Sequence, residues 1–564
     1  VVTPVYILGI CAFTHDSSAA LLHGSELVGF LEEDRLSGFK HTREFPEFAV
    51  QTLLATARIS PGDINAVAYT FDSTLYTLGS RSAERRPGPR QRRDAAVASY
   101  ARISAQHSRT LVELRRRFPN ATVVETPHHE AHAFSAIAAA GWRDAEVVVV
   151  DSIGEAATTS VGHWDADSRS LTLRTVGMDT DSLGYLYGAV TDHLGFRMRD
   201  EEGTVMALAA QGDPSRFRSL FAKVLTIDDD GLHLDPNYVR QRVFGDHGER
   251  LTARFSREAV DRRRPSEPLT EDQADLAAAL QERTTDAFAV LCPPTRLPLR
   301  VISGGVATNC LAIGSLRRSQ PTTEQFVPPA PGDSGTSLGA AAACLLRLQD
   351  ELASIPPTPY WGTDPDLPDL NDPARSNLRF EPMRASDLAR ECARRLNEGQ
   401  IVGVYRGAAE AGPRALGRRS IFADPRAEGV HHRLALRVKK RELFRPFAPI
   451  ALKADASALV DLGSFASPYM SAALDARPEL RSIAPVVVHS NGTARMQTVG
   501  PGDEPFVEEL LAEFRRVSGS PVLINTSLNA KGSPTVGTWR DALDCLRTMD
   551  LDALVLGDDL VTRA

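Results

Sequence analysis

One arrangement occurs twice in the first part of the chain and restricts the folds open to it. Tyr6–Cys11 is an apolar run ending in the polar turn His15-Asp16-Ser17-Ser18, followed by Ala19–Leu22, the turn His23-Gly24-Ser25 and Glu26–Leu31. Later, Glu146–Val150 is a valine-rich run ending at Asp151, with Gly154 in the next loop. Ala156–Trp164 and Ser170–Val176 follow, joined by Asp165-Ala166-Asp167-Ser168. Short apolar runs bounded by turn residues predict buried strands, and two runs split by a short polar turn predict a hairpin. Strand, acidic turn and hairpin, repeated, predict two similar subdomains facing each other.

At 564 residues and 61.2 kDa the chain is too long for a single core, so at least two domains are expected. Pro356, Pro357, Pro359, Pro365, Pro368 and Pro373 crowd one stretch. Proline removes backbone donors and fixes φ, so this stretch predicts an extended connection. The expected division is 1–355, a linker over 356–375, and 376–564.

A net charge of −8 and a pI near 6.0 give no overall basic field to draw the chain toward nucleic acid or membrane. The six cysteines are scattered without a C-x-x-C pair, which argues against a disulfide framework or a cysteine zinc site. No basic segment precedes the Val5–Cys11 run and no cleavage site follows it, so it predicts a strand and not a signal peptide. A soluble, cytoplasmic protein is expected. Arg81–Arg93 holds six arginines around Pro87-Gly88-Pro89 and reads as a solvated loop, with an anionic ligand left open.

Several segments carry chemistry. His128 and His132 are four apart at the start of a helical stretch, which puts both imidazoles on one face and permits joint metal ligation. Asp151 at a strand end and Asp333 in Pro331-Gly332-Asp333-Ser334-Gly335 are carboxylates that could complete such a site, although spacing alone does not join the four. An imidazole–carboxylate set suits iron, zinc or manganese. Gly304-Gly305 after the strand Val301–Ser303 would let backbone N–H groups approach phosphate or adenosine closely. In the second half, Arg414, Lys439, Arg441 and Arg445 lie among prolines and phenylalanines and could hold several anionic groups, with Arg495 and the run Asn525-Thr526-Ser527-Leu528-Asn529 as further polar candidates.

Taken together the segments resemble the O-carbamoyltransferases of nodulation-factor and cephamycin biosynthesis, a family that also decorates aminoglycosides and macrocyclic polyketides. The resemblance runs nearly end to end. It rests on His15-Asp16-Ser17-Ser18-Ala19, Glu32-Glu33-Asp34-Arg35 with Lys40-His41, His128-x-x-x-His132, Asp151-x-x-Gly154-Glu155 and Gly304-Gly305-Val306-Ala307 with Asn309-Cys310. It continues in Gly412-Pro413-Arg414-Ala415-Leu416-Gly417, Arg441-Glu442, Phe444-Arg445-Pro446-Phe447-Ala448-Pro449, Ser467-Pro468-Tyr469-Met470 and Asn525-Thr526-Ser527 with Asn529.

The resemblance implies an α/β tandem enzyme. Its N-terminal half would be a duplicated actin-like (ASKHA) domain similar to the tRNA-threonylcarbamoyl transferase. Its C-terminal half would be a YrdC-like twisted-sheet domain similar to the one that makes threonylcarbamoyl-adenylate. The C-terminal site would form carbamoyl-adenylate from carbamoyl phosphate and ATP, with magnesium on the ATP. The adenylate would then pass internally to the N-terminal site, where a small-molecule hydroxyl, such as that of an antibiotic sugar or macrocycle, attacks it and AMP leaves. Arg414, Lys439 and Arg445 would hold carbamate and phosphates, and Ser527 and Asn529 would bond the carbamoyl or phosphate groups. Arg441, Arg495, Thr526, Asp16, Lys40, Gly304, Gly305 and Asn309 would contact the nucleotide. His128, His132, Asp151 and Asp333 would hold a divalent metal, with iron favoured, and His15 would act as general base.

The chain departs from the family pattern at Ser152, Thr204, Ala207, Ile313 and Ala411, none of them a proposed catalytic group. A tRNA-modifying enzyme and an actin-like nucleotide sensor are the alternatives; the first wants a basic RNA-binding surface, and the second leaves the arginine-rich segments without a role. The stretches without family motifs, Phe71–Arg102 and Leu232–Glu267, are those expected to shape the acceptor pocket. Acceptor identity and assembly stay open, with a homodimer as the candidate assembly.

Overall fold

The structure, a computed structural model, describes residues 4–228, 231–369 and 372–564, so 370–371 of the proline-rich stretch lie outside the described residues. The chain forms two compact units. One holds the chain up to Val28, Glu44–Pro46 and Val50–Pro357; the other holds Gly29–Arg43, Glu47–Ala49 and Thr358–Ala564.

This division differs from the sequence expectation in two ways. The boundary falls after Pro357, not near residue 375, because the residues that follow have partners within the second unit. The Trp361 carbonyl accepts from Phe30 N–H at 2.7 Å, and the Pro359 carbonyl from Ala411 N–H at 2.8 Å. Tyr360 donates its hydroxyl to the Leu416 carbonyl at 3.0 Å and lies under the Arg418 guanidinium, 3.8 Å from its ring centroid. A segment this well paired is part of a core and not a spacer. Second, Lys40, expected in the first domain, belongs to the second unit. Its segment is anchored by Arg35, which pairs with Glu32 at 2.7 Å and donates to the carbonyls of Glu410, at 2.5 Å, and Gly412.

The first unit contains two five-stranded sheets of one design, apart from the end of the first sheet's edge strand, which from Gly29 on clusters with the second unit. Strands β1 (Tyr6–Cys11), β2 (Ser18–His23), β3 (Glu26–Glu32), β4 (Ala66–Tyr69) and β5 (Thr122–Glu125) lie in the order β3-β2-β1-β4-β5. Strands β6 (Ala145–Val150), β7 (Ala157–Asp165) and β8 (Ser170–Met178) are followed by a separate ribbon of β9 (Leu225–Asp228) and β10 (Gly231–Leu234). With β11 (Leu299–Ser303) and β12 (Glu324–Phe326) they complete the second sheet, β8-β7-β6-β11-β12. In each sheet the first strand pairs antiparallel with the second and parallel with the fourth, which pairs parallel with the fifth. The repeat read from the sequence is thus a repeat of topology. Ligands bind beyond the carboxyl ends of parallel strands, where loops leave a crevice. Thr70, Asp151 and the Ser303 terminus stand at those ends.

The Arg81–Arg93 stretch is not the loop expected. Tyr76–Arg85 is helical, Arg86–Pro89 is the break, and a 28-residue helix runs from Arg90 to Arg117. The two prolines confine the interruption to that break because proline is tolerated at a helix start but not inside one.

The second unit is built on one mixed sheet. Its strands are β13 (Leu378–Pro382), β14 (Val402–Tyr405), β15 (Arg419–Ala423) and β16 (Ala448–Leu452), then a short pair β17 (Leu474–Asp475) and β18 (Thr493–Ala494) outside the sheet. They continue with β19 (Gln497–Val499), β20 (Val522–Ser527), β21 (Ala553–Leu556) and β22 (Asp559–Arg563). The order is β13-β22-β21-β14-β15-β20-β16-β19. Helices Ala385–Asn397 and Pro505–Ser518 bury Leu388, Leu396, Phe506, Leu510 and Phe514 against Val404, Phe422 and Leu523. The molecule is therefore mixed α/β throughout. Among the described residues no helix is long and apolar enough to cross a membrane.

Candidate functional sites

The first unit gathers His128, His132, Asp151 and Asp333, four residues that spacing alone left unjoined, with one ligand atom from each within 4.8 Å of the others. His128 and His132 open the helix His128–Ala139, and one turn brings their Nε2 atoms to 3.2 Å. Asp333 Oδ1 lies 3.5 Å from His128 Nε2 and 3.7 Å from His132 Nε2, and Asp151 Oδ2 lies 3.8 Å from His128 Nε2. All four side chains are buried. Bonds of about 2.1 Å in tetrahedral array would separate donors by roughly 3.4 Å, so these spacings fit a first-row divalent ion.

Each ligand is held from behind, which fixes the atom it presents. His128 Nδ1 is 3.2 Å from the Thr70 carbonyl, and His132 Nδ1 is 3.4 Å from Ser303 Oγ. Asp333 Oδ2 accepts from Thr14 Oγ1 at 2.6 Å, and Asp151 Oδ1 accepts from the Gly305 N–H at 2.9 Å. The remaining Asp333 Oδ1 is buried and has no hydrogen-bond donor. A buried carboxylate oxygen without a donor is costly unless a cation meets it, so the residues fit a metal. Burial works against charge on His128, yet the carboxylates of Asp333, Asp151 and Glu155 prevail and push its pKa up to about 9. Burial likewise works against ionised Asp333, and the imidazoles, His128 foremost, reverse it and hold the carboxyl well below the usual range.

The other residues expected here have different placements. Gly305 serves Asp151 directly, and Gly304 sits at φ 93° where a Cβ would come within 2.3 Å of the Val150 carbonyl, so the close approach that the double glycine permits is to strand β6. Asn309 caps the helix Cys310–Ser319 through Ala312 N–H at 3.1 Å, and its amide exchanges two 3.0 Å bonds with Gln281. Its hydrogen-bonding capacity is largely spent inside the protein. His15 Nδ1 lies 3.2 Å from Asp16 Oδ2; burial would lower its pKa, but Asp16 and Asp333 raise it above the ordinary imidazole value.

The second unit collects like charges. Buried Lys439 donates to the carbonyls of Ser527 and Asn529 at 2.8 and 2.9 Å and reaches Asn529 Oδ1 at 2.5 Å. Burial first, then the field of Arg441, Arg445 and Lys40, pushes its pKa down to about 7. Arg441 packs 4.0 Å above the Phe447 ring and donates to the carbonyls of Arg445 and Pro446. Burial, Arg445 and Arg495 bring its pKa down to about 9. The Nε–H groups of Arg441 and Arg495 are buried without an acceptor. Ser527 ends β20, where Thr526 pairs with Ile421, and its hydroxyl donates to Asn529 Oδ1 at 2.6 Å. The loop carrying Arg414 is tied down just after that residue: Asn525 Nδ2 donates to the Ala415 carbonyl at 3.0 Å and Gln497 Nε2 to the Leu416 carbonyl at 2.8 Å. Cations outnumber carboxylates in this cluster, where Glu442 lies 3.8 Å from Arg445, and such an excess of positive charge can accept anions.

Sequence reasoning missed Thr14, Thr70 and Ser303, which orient the metal set, and Glu155, whose Oε1 accepts from the N–H groups of Asp72 and His128 at 2.8 and 3.0 Å. It also missed buried Arg242, which donates at 2.8 Å to the carbonyl of Ser152, the residue after Asp151. The usable signal was position: Thr70 and Ser303 stand at the ends of parallel strands, as Asp151 does.

A family model described as carbamoyltransferase N-terminus matches residues 6–342, and one described as carbamoyltransferase C-terminus matches residues 393–563. The nodulation protein NolNO of Sinorhizobium fredii is 33% identical over 98% of this chain and 79% of its own length. NolO of Bradyrhizobium diazoefficiens is 34% identical over 77% of this chain and 78% of its own. An uncharacterised protein of Synechocystis is 30% identical over 98% and 95%. The chain belongs to the carbamoyltransferase family and is a transferase.

Proposed function

We propose that this protein is an ATP-dependent O-carbamoyltransferase working in two steps, with an actin-like first unit and a YrdC-like second unit. Carbamoyl phosphate is hydrolysed to carbamate and phosphate in the second unit. A carbamate oxygen then attacks the α-phosphorus of magnesium-bound ATP, and pyrophosphate leaves. The resulting carbamoyl-adenylate is a mixed anhydride, a far better electrophile than carbamate. In the first unit an acceptor hydroxyl attacks its carbonyl carbon, AMP departs, and the hydroxyl proton passes to His15.

The observation that carries this reading is that the two units hold sites of opposite demand. His128, His132, Asp151 and Asp333 form a buried set that needs a cation, and Lys439, Arg441, Arg445 and Arg495 form a set that needs anions. A divalent ion, iron being the favoured one, would supply positive charge for the adenylate phosphate at the first. Lys439, Arg414 and Arg445 offset the repulsion between carbamate and triphosphate at the second. Lys439 also fixes the 527–529 turn, so Ser527 and Asn529 are presented to the same anions. His15 must lose its proton to act as base, which a cation on Asp333 favours by weakening the field that now holds that proton.

The test is pyrophosphate release from ATP with and without carbamoyl phosphate, in the parent protein and in Arg414→Ala. Release that requires carbamoyl phosphate and falls at least about 100-fold in the variant supports the reading. Release independent of carbamoyl phosphate, or ADP as the product, contradicts it.

A further inference from the structure

Strand β6 ends at Val150, so Asp151 opens a loop, and its position depends on what grips that loop. Its own N–H donates to the Thr158 carbonyl at 2.9 Å, and its Oδ1 accepts from the Gly305 N–H. The next residue, Ser152, is gripped harder. Ser182 Oγ donates to the Ser152 carbonyl at 2.7 Å and accepts from the Tyr185 N–H at 3.0 Å, so the cap of the helix Leu183–His193 is also a tie to the loop. Gly184, in the first turn of that helix, lies so close that a Cβ would come within 2.9 Å of Ser152 N.

Arg242 grips the same residue from a second segment. Its side chain lies over the Tyr185 ring, 4.3 Å from the centroid, and its backbone N–H donates to Thr180 Oγ1 at 3.0 Å. One terminal nitrogen donates to the Ser152 carbonyl at 2.8 Å and the other to the Ser152 hydroxyl at 3.3 Å. Two donors of one planar fork meeting one residue fix its orientation as well as its place. Ser152 is one of the positions where the chain departs from the family pattern, and its hydroxyl takes half of this contact. The guanidinium is 4% exposed, and its Nε is buried without an acceptor. A cation buried on such terms is a weak source of fold stability, so its presence calls for another account.

We infer that Arg242 is a positioning residue of the metal centre: its fork, closed on Ser152, fixes where the adjoining Asp151 places Oδ2 against His128. The inference rests on the metal reading above and adds to it a residue from outside the ligand set. Asp151 Oδ2 stands 3.8 Å from His128 Nε2, the longest of the printed spacings in the set, so small movements of its loop bear directly on whether it reaches the ion. Arg242 touches no ligand itself and acts through one peptide.

The metal-free full-length protein is titrated with Co²⁺ against a competing chelator, and the visible bands of the bound ion are recorded for the parent, Arg242→Met, Arg242→Lys and His128→Ala. The urea midpoint of each metal-free protein is read alongside. Methionine fills similar space without donors, and lysine keeps the charge without the fork. Both Arg242 variants are expected to bind Co²⁺ about 10-fold more weakly than the parent, with altered bands and an unchanged midpoint. Equal or tighter binding in Arg242→Met, or full affinity in Arg242→Lys, overturns the inference, because charge and not the fork would then be what Asp151 feels. Weaker binding matched by a lower midpoint in both variants assigns Arg242 to the fold alone and overturns it too. Co²⁺ binding that is lost in His128→Ala but undiminished in both Arg242 variants sinks only this inference, whereas a parent that binds no Co²⁺ sinks the metal reading beneath it.

Discussion

The two sites handle buried charge in opposite ways. In the first unit, imidazoles and carboxylates arrive together; each shifts the other, and a single carboxylate oxygen is left without a donor. In the second unit's cluster, cations arrive together; burial and mutual repulsion depress Lys439 and Arg441, and the Nε–H groups of Arg441 and Arg495 are left without acceptors. The first set combines both signs of charge and presents one carboxylate oxygen to a cation. The second is held in a state that ligands must relieve. A preorganised cluster of like charge costs folding free energy, and that cost is recovered only when anions bind.

The sharpest way to break this comparison is to remove one member from each set. His128→Ala should abolish stoichiometric metal, read by elemental analysis, and lower carbamoyl transfer at least about 100-fold while carbamoyl-phosphate-dependent pyrophosphate release persists. Lys439→Met should do the reverse, lowering pyrophosphate release on the order of 100-fold with metal content intact. Loss of both properties in either variant would mean that the two sites are not separable. A gentler probe is Thr14→Val, which leaves the ligands and takes away the donor to Asp333 Oδ2. Metal affinity, from competition with a chelator, should fall about 10- to 100-fold; no change would make Thr14 a bystander.

The sequence reached the first three strands of each sheet because each carried its own apolar run and turn, and Tyr6–Cys11 matches residue for residue, whereas β4, β5 and β12 were not read from it. Helical spacing paired His128 with His132, but only family resemblance joined Asp151 and Asp333 to them as one candidate metal set, since the two carboxylates come from loops 182 residues apart in chain order. It misplaced Lys40 and the boundary at Pro357, because which core a segment joins depends on partners such as Trp361 and Glu410 that local composition does not reveal. It read Arg81–Arg93 as a loop since Pro87-Gly88-Pro89 dominates the window, although the arginines on either side carry helix-compatible side chains. Arg242 was invisible for a plainer reason: its meaning comes from Ser152 and Tyr185, both distant in sequence.

The smallest effect expected is also the one that isolates the cost of the cationic set. Lys439 titrates near 7 when folded and near 10.5 when free. Between those values the unfolded chain binds a proton that the folded chain has lost, so stability rises with pH through that window. Below about pH 7 the side chain is charged in both states and the full penalty of burying it is present. Lys439→Met removes the proton and also removes bonds to Ser527 and Asn529, so its absolute stability is a balance of the two. The pH slope is cleaner: relative to the variant, the parent should gain about 1 kcal/mol per pH unit from pH 7 to 9, measured by denaturant unfolding without ligands. Saturating pyrophosphate should remove most of that slope by pairing the ammonium with anion charge. A slope that is absent without ligand would mean that the oxygens of Ser527 and Asn529 already compensate the charge, and the second set would then resemble the first.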